Sequence, residues 1–381
     1  MIKQRIENIR DLMKEKNIYA YIVPSSDYHQ SEYVGDYFKS REFMSGFTGS
    51  AGTLIISMDE AGLWTDGRYF IQAENELKDS GIKLFKMGEE GVPTIEEYLL
   101  EKLPKNSILG FDGRVMSVKE GQSLANKLAF KGINIEYKYN LVNDIWEDRC
   151  SLPTGKAFLL GTEYSGESFS DKLSRIRAVM KEKKATTHIL ASLDDIAWLF
   201  NIRGRDVKSN PVVLSYAVIT IDSVYLFIDK NKIGKDNVQI KGYEEVYEFI
   251  KNIDENEVVL IDTSKVNYAI YNNIPSNVQK IEERNPSILF KSIKNEIELK
   301  NIRNSHIKDG VAFTKFMYWL KNNIGKIEIT EISATQKLEE FRREQDKFIE
   351  PSFSTIAAYK DHAAMMHYSA TEESNYKLEP R

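Results

Sequence analysis

The stretch Ile9-Arg-Asp-Leu-Met-Lys-Glu-Lys16 returns later in the chain as Ile176-Arg-Ala-Val-Met-Lys-Glu-Lys183. The spacing continues beyond these segments, so that Asp27 corresponds to Asp194. Since an amphipathic helix and the apolar run after it are repeated together, chance similarity is a poor explanation. The repeat predicts two related α/β domains within one chain.

A second repeated stretch supports this interpretation. Leu54-Ile-Ile-Ser-Met-Asp-Glu-Ala-Gly-Leu-Trp-Thr-Asp66 aligns with Ala217-Val-Ile-Thr-Ile-Asp-Ser-Val-Tyr-Leu-Phe-Ile-Asp229 after a small change in offset. Each copy reads as two strands joined by a turn, at Asp59 in the first and at Asp222 in the second. We expect each domain to contain a mixed sheet with flanking helices.

Two breaks divide the chain into three regions. Pro153 and Gly155 lie between a polar segment and a new apolar run, and Asn285-Pro286 marks the second break. We therefore predict domains at residues 1–151, 152–290 and 291–381.

The third predicted region has a different pattern. A long helix is expected from about Ser292 to Asn322, with its apolar residues tending toward one face, and a shorter one around Thr330 to Gln345. About ninety residues make a thin domain. We expect this domain to be incomplete and the chain to be truncated at Arg381.

The composition excludes several classes of protein. The 52 basic and 57 acidic side chains give a net charge of −5 without a long block of like charge, which argues against a nucleic-acid partner. We find neither a signal peptide at the N-terminus nor a stretch of about 20 apolar residues, and so expect a cytoplasmic protein without membrane association. The single cysteine, Cys150, has no partner for an internal disulfide, and no Cys/His cluster has the spacing of a zinc site.

Two motifs near the N-terminus raise questions of function. The glycine-rich Ser45-Gly-Phe-Thr-Gly-Ser-Ala-Gly-Thr53 lacks the lysine and the following helix of a phosphate-binding loop, and we interpret it as a packing turn. In Trp64-Thr-Asp-Gly-Arg-Tyr-Phe70, Asp66 has a counterpart in Asp229 and is expected to stabilise a turn or to cap a helix. Arg68 has no such counterpart, so its guanidinium either holds a substrate carboxylate or carbonyl or forms a surface ion pair.

The histidine motifs have several interpretations. Asp27-Tyr-His-Gln-Ser-Glu-Tyr33 would suit proton transfer or a metal, but a capping or loop-fixing role for Ser31 and Glu32 is favoured. His362 and His367 are five residues apart, which suits neither a metal pair on a helix nor the H-E-x-x-H pattern, so we expect independent roles.

Another polar group lies in residues 193–204. Asp194 and Asp195 are expected to cap the start of a helix, with apolar core residues after them. Arg203, near the end of this segment, is expected to face a neighbouring domain.

Across nearly the whole chain, these segments together resemble the three-domain Xaa-Pro aminopeptidases. The resemblance is carried, in this order, by His29-Gln-Ser-Glu-Tyr33, residues 45–53 and 64–70, Asn140-Leu-Val with Asp148-Arg149, residues 193–204 with Asn210-Pro211, Lys294-Asn-Glu-Ile-Glu298 and His367-Tyr368. It implies two creatinase-like N-terminal domains followed by the beginning of a pita-bread catalytic domain.

The resemblance also implies a site. In that family two manganese ions are bound by two aspartates, a histidine and two glutamates, in segments that would follow Arg381, so no metal ligand is expected here. A metal-bridging hydroxide attacks the carbonyl of the first residue of a peptide whose second residue is proline. The substrate-site residues carried over are Arg68, which binds substrate, and His367, which binds substrate and assists catalysis.

The expected function is therefore that of a metal-dependent Xaa-Pro aminopeptidase, with this chain inactive by itself. The alternative within the family is a non-catalytic module for capping the substrate or for dimerisation. Creatinase or prolidase activity is a further alternative, although those relatives usually have one N-terminal domain of this kind. The resemblance also implies a possible homodimer.

Overall fold

A computed structural model of the chain describes residues 1–233 and 238–380. The described part divides into two compact units. The first comprises residues 1–160, 167–207 and 211–293, outside the undescribed segment, and the second comprises residues 161–166, 208–210 and 294–380.

The helices and strands follow one another in a repeated order. Up to residue 145 they are α1 (Ile2–Glu15), β1 (Ala20–Pro24), α2 (Ser40–Ser45), β2 (Thr53–Ser57), β3 (Ala61–Thr65), α3 (Phe70–Glu76), β4 (Lys83–Lys86), α4 (Ile95–Lys102), β5 (Ile108–Phe111), α5 (Val118–Ala129), β6 (Asn134–Glu136) and α6 (Leu141–Ile145). From residue 158 to 292 they are β7 (Phe158–Leu159), α7 (Thr162–Ser165), α8 (Phe169–Glu182), β8 (Thr187–Leu190), α9 (Leu193–Phe200), β9 (Ile202–Arg203), β10 (Ser215–Thr220), β11 (Val224–Ile228), β12 (Gln239–Lys241), α10 (Glu245–Lys251), β13 (Val258–Ile261), α11 (Tyr268–Asn273), β14 (Gln279–Glu282) and α12 (Pro286–Ser292). The last helices are α13 (Glu296–Asn323) and α14 (Glu331–Arg343), and short 3-10 helices span Asp36–Phe38 and Lys360–Ala364.

The first unit contains two sheets of the same topology. Their strand orders are β4-β3-β2-β1-β5-β6 and β12-β11-β10-β8-β13-β14. In each sheet the hairpin and the strand that precedes it in the chain, β1-β2-β3 and β8-β10-β11, are paired antiparallel. The remaining strand pairs are parallel. The predicted repeat and mixed sheets are therefore confirmed, as are the hairpin turns at Asp59 and Asp222. Helices pack on the sheets through one apolar face, as in α1, which buries Ile6, Ile9 and Met13.

The two copies contact each other through a reciprocal set of backbone hydrogen bonds. Val118 N donates to Val266 O at 3.0 Å, and Lys119 N donates to Thr263 O at 2.9 Å. In the opposite direction, bonds run from Tyr268 N to Met116 O at 2.8 Å and from Ala269 N to Gly113 O at 2.9 Å. The starts of α5 and α11 thus bind each other in a pseudo-twofold arrangement, and one cluster of buried side chains contains residues of both copies.

The second unit is organised differently. Helix α13 begins at Glu296, later than predicted, because the Asn295 side chain accepts hydrogen bonds from the first turn and forms a capping box with Glu298. Only Ala312 of this helix is buried. Helix α14 agrees with the prediction, since Thr330 caps its start. No helix in the described part of the chain is both long enough and apolar enough to cross a lipid bilayer.

Candidate functional site

The turn that carries Arg68 follows β3 at the surface of the first copy. Asp66 Oδ1 accepts a hydrogen bond from the Arg68 backbone N at 3.1 Å, which fixes the turn and confirms the predicted role of Asp66. The Arg68 side chain folds back onto the same carboxylate, with Nε and Nη2 each 2.8 Å from an Asp66 oxygen. This pairing raises the pKa of Arg68, and 45% of its side chain remains exposed.

Buried groups hold this turn in place. Tyr69 is 2% exposed, and its hydroxyl lies 2.6 Å from the Ser50 hydroxyl in the neighbouring glycine-rich loop. That loop is itself tightly packed, because a Cβ at Gly49 would lie 2.3 Å from the Phe47 ring. The buried Arg41 donates to the carbonyls of Phe47 and Gly49. The prediction of a packing turn at residues 45–53 is therefore confirmed, and this packing sets the position of the Arg68 turn.

The second copy contains the same turn with other side chains. Asp229 Oδ1 accepts a hydrogen bond from Asn231 N at 2.9 Å, as Asp66 does from Arg68. The next residue, Lys232, is buried like Tyr69 and forms an ion pair with the buried Asp206. The two turns therefore have a buried residue at the same position, which is Tyr69 in one copy and Lys232 in the other. They differ in the exposed side chain, which is Arg68 in the first copy and Asn231 in the second.

His29 has a structural position between the two copies. Its Nδ1 lies 2.8 Å from the carbonyl oxygen of Ala191 and its Nε2 lies 2.6 Å from the Tyr243 hydroxyl. Because a carbonyl only accepts, Nδ1 carries the proton and Nε2 accepts from the tyrosine. Burial lowers the pKa of His29, and Asp27 opposes this effect. These contacts fix His29 between the two copies.

The loop around His29 is held by Asp27. Its Oδ1 accepts hydrogen bonds from the backbone N of His29 at 2.8 Å and of Ser31 at 3.0 Å. The loop-fixing role that we predicted for Ser31 and Glu32 therefore belongs to Asp27, whose side chain is fully buried.

The polar residues of α9 serve local structure. Asp195 is buried and Asp194 is exposed, and Lys291 forms ion pairs with both. Both lie in the first turn of α9, but the N-cap residue is Ser192, so the predicted capping role of Asp194 and Asp195 is wrong. Arg203 donates to the carbonyl oxygens of Ala197 at 2.7 Å and Ile202 at 2.9 Å. In the first unit, Arg203 therefore helps to satisfy the end of the same helix.

His362 and His367 have separate environments in the second unit, as predicted. His362 is 7% exposed, and its Nδ1 donates to the Glu331 carboxylate at 3.0 Å. His367 lies at the surface, immediately before the buried Tyr368. Glu331 could not be identified from the sequence, because its partners are 28 to 45 residues away and no local motif indicates them.

The described residues were tested for a metal centre. No group of three or more His, Cys, Asp or Glu side chains among residues 1–233 and 238–380 could hold a metal ion. These described residues therefore do not contain a donor set for a dinuclear centre.

Comparison with known families gives three matches along the chain. The family described as creatinase/prolidase N-terminal domain matches residues 5–137, and a second family of the same description matches residues 148–298. The metallopeptidase family M24 matches residues 300–381. The two sheets and the region after them thus correspond to successive domains of known kinds.

Curated proteins are similar to nearly the entire chain. Xaa-Pro aminopeptidase 1 of Dictyostelium discoideum is 37% identical over 397 residues, covering 98% of this chain and 62% of the relative. Probable Xaa-Pro aminopeptidase P of Talaromyces stipitatus is 39% identical over 384 residues, covering 96% and 58%. The chain thus spans about 60% of the length of these curated relatives.

Among solved structures, an X-prolyl aminopeptidase from Caenorhabditis elegans is similar to the entire chain. It is described as a cytosolic enzyme with a di-nuclear active site. The TM-score is 0.95 at 32% identity, with coverage of 100% of this chain and 66% of that one. The fold of all three regions is therefore that of this neighbour.

Proposed function

This chain belongs to the M24 metallopeptidases that carry creatinase/prolidase N-terminal domains, and from that premise we propose that it acts in Xaa-Pro aminopeptidase activity. The reaction is hydrolysis of the bond between the N-terminal residue of a peptide and a following proline. The observation that carries the proposal is the similarity of the whole chain to the C. elegans X-prolyl aminopeptidase. The order of the matched families supports the same activity.

Within this activity, Arg68 binds the substrate. Its guanidinium is a planar donor that suits a carboxylate or carbonyl oxygen of a peptide. The turn presents it at the surface, with Nε and Nη2 on Asp66. Because this edge of the guanidinium is held, a substrate oxygen would meet a donor of restricted orientation, which reduces the entropy lost on binding.

His367 is proposed to contact the substrate and to orient the tetrahedral species formed during hydrolysis. An imidazole can donate or accept a hydrogen bond, and the exposed position of His367 leaves it accessible to a peptide. Both roles concern orientation and hydrogen bonding at the reacting carbonyl.

Two metal ions are proposed as cofactors, in accord with the family and with the di-nuclear site of the neighbour, and manganese is the proposed metal. We further propose a cytosolic location, which the description of the C. elegans enzyme supports, and a homodimeric assembly.

The test is hydrolysis of an Xaa-Pro-Xaa tripeptide with added Mn²⁺. The 381-residue chain is compared with a chimera in which it is followed by the third of the C. elegans enzyme that it does not match. We expect hydrolysis by the chimera and none by the 381-residue chain. Absence of hydrolysis by a folded, metal-loaded chimera would favour the non-catalytic capping role instead. Hydrolysis by the shorter chain would show that it contains a complete site.

A further inference from the structure

The most completely satisfied buried carboxylate of the second unit is that of Glu331. It is 0% exposed, and four groups donate to it. They are Tyr359 N at 2.7 Å, Tyr368 Oη at 2.9 Å, Tyr376 N at 3.0 Å and His362 Nδ1 at 3.0 Å. A carboxylate has about four lone-pair sites, so these donors fill its capacity. Because its acceptor sites are occupied, Glu331 is not available as a metal ligand or a general base. Its contacts indicate that it holds the surrounding backbone in place.

The sequence places this carboxylate at a junction. Glu331 is the first residue of α14, where the helix dipole favours a negative charge. The backbone on either side is paired with the end of the chain, since Glu331 N donates to Tyr376 O at 3.1 Å and Leu378 N donates to Ile329 O at 2.8 Å. The helix start and residues 375–378 thus form one frame around the carboxylate.

The segment between Tyr359 and Tyr376 wraps around Glu331. His362 stacks between the rings of Tyr368 and Tyr376, with centroid distances of 4.3 and 3.8 Å. Apolar packing contributes little here, because the buried apolar side chains among the described residues of this unit are few. They are Ala312, Ile329, Ala334, Leu338 and Tyr368. The hydrogen bonds to Glu331, together with this stacking of rings, therefore constrain the segment.

His367 belongs to this segment and precedes Tyr368, whose side chain points inward to Glu331. We propose that Glu331 is the positioning residue for His367, acting through Tyr368 and His362. The proposal rests on the function proposed above, in which His367 contacts the substrate. Glu331 does not touch the substrate. It fixes the backbone on which the His367 imidazole is presented.

The charge of Glu331 suits this role. Burial by itself would raise the pKa of Glu331, but the hydrogen bonds from Tyr376 N, His362, Tyr359 N and Tyr368 outweigh it and lower the pKa. The carboxylate is therefore ionised at neutral pH and accepts from every neighbour. A glutamine has nearly the same shape, but it would direct an amide donor at one or more of these donors.

The first experiment uses the 381-residue chain with the substitution Glu331→Gln. Its matched control is Glu328→Gln, because Glu328 lies just before α14 but is exposed and 3.7 Å from Lys377. We expect the amides of Tyr359 and Tyr376 to exchange with solvent roughly ten- to a hundredfold faster in Glu331→Gln, as for loss of a hydrogen bond to a charged group. The control is expected to leave both exchange rates unchanged.

Histidine-selective NMR of the same variants provides a second readout. The chain has five histidines, and three of them, His29, His188 and His306, lie outside the segment and serve as internal references. We expect the signals of His362 and His367 to shift or broaden in Glu331→Gln while the reference signals stay in place. Unchanged amide exchange with an unchanged His367 signal would overturn the proposal.

The second experiment measures hydrolysis by the chimera described above. We expect Glu331→Gln to lower kcat by roughly tenfold or more with little change in KM, because displacement of an orienting group mainly affects the transition state. Tyr368→Phe, which keeps the ring and removes one donor, is expected to have a smaller effect in the same direction.

The outcomes separate this inference from the function on which it rests. An active chimera whose kcat falls in His367→Ala but not in Glu331→Gln would overturn the role of Glu331 alone. A chimera without Xaa-Pro hydrolysis would overturn the proposed function and, with it, this role.

Discussion

The two copies of the first unit have the same scaffold and different exposed chemistry. Helix α8 lies 167 residues after α1 at both ends, and its buried Leu173, Ile176 and Met180 correspond to Ile6, Ile9 and Met13. At the turns after β3 and β11, however, the exposed position is Arg68 in one copy and Asn231 in the other. Packing therefore preserves the buried positions, while a position without packing constraints is available for binding.

A second difference concerns a buried position. His29 of the first copy corresponds by the same offset to Ile196 of the second, and both are buried. Ile196 packs in the core of its own copy, whereas His29 reaches Ala191 and Tyr243 of the other copy. The two corresponding positions therefore have different roles. Ile196 contributes to the core of its own copy, and His29 contributes to the contact between the copies.

The largest effect is expected on kcat/KM, from removal of the Arg68 side chain, in which the two exposed turns differ. In the active chimera, Arg68→Ala should lower kcat/KM by about a hundredfold, since a charged hydrogen bond to substrate is lost. Asn231→Ala, at the matching turn, should leave kcat/KM unchanged. Equal effects of the two substitutions on tripeptide hydrolysis would contradict the assignment of substrate binding to the first copy.

A smaller effect is expected at the contact between the copies. A Cβ at Gly121 of α5 would lie 2.3 Å from the Tyr268 ring of α11. Gly121→Ala should therefore lower the free energy of unfolding by about 1–3 kcal/mol, as overpacking does. The control is Gly310→Ala in α13, where an added Cβ would meet nothing within 4 Å outside the adjacent backbone of the helix, so the substitution should be neutral or slightly stabilising. Urea denaturation of both variants measures the difference, and a stable Gly121→Ala would mean that the copies can move apart.

The smallest effect concerns pH and compares the buried histidines of the two copies. Burial lowers the pKa of both His29 and His188 in the folded chain. As the pH falls below about 6.5, the unfolded chain binds protons before the folded chain does, so stability is lost on acidification. Each histidine contributes at most about 1.4 kcal/mol per pH unit.

Substitution of His29 isolates its share of this dependence. Between about pH 7 and pH 5, His29→Gln should show a weaker loss of stability on acidification in urea denaturation, because it has no proton to gain. The exposed His306→Gln is the control and should follow the unsubstituted chain. A slope unaltered by His29→Gln would mean that His29 does not resist protonation in the folded chain.

Much of the fold could be predicted from the sequence because local sequence patterns determine the helices and strands of the repeat. The period of α1 and the hairpin turn at Asp59 are set by neighbouring residues, and their repetition in the second copy doubles the evidence. The start of α13 was misplaced because Asn295 competes with the apolar pattern by capping the helix. Arg68 could be singled out from the sequence because the corresponding turn of the second copy has no arginine at that position.

Other features could not be predicted, since they depend on contacts between distant residues. His29 bonds to Tyr243, which is 214 residues away, and no pattern around either residue indicates the other. Glu331 is similar, since its partners become neighbours only when residues 359–376 fold over the start of α14. The roles of Arg68 and His367 remain predictions from the family resemblance.

The reciprocal bonds between α5 and α11 bear on how such a chain can arise. Each copy uses the same stretch of backbone both to donate and to accept hydrogen bonds. When 150 is added to the residue number of one partner of a bond and subtracted from that of the other, the result is another bond of the same set. Contacts of this kind are the signature of identical subunits around a twofold axis. A single-copy ancestor with this surface would form a homodimer. Gene duplication and fusion would then join two subunits that already bind each other, and no new interface would be needed.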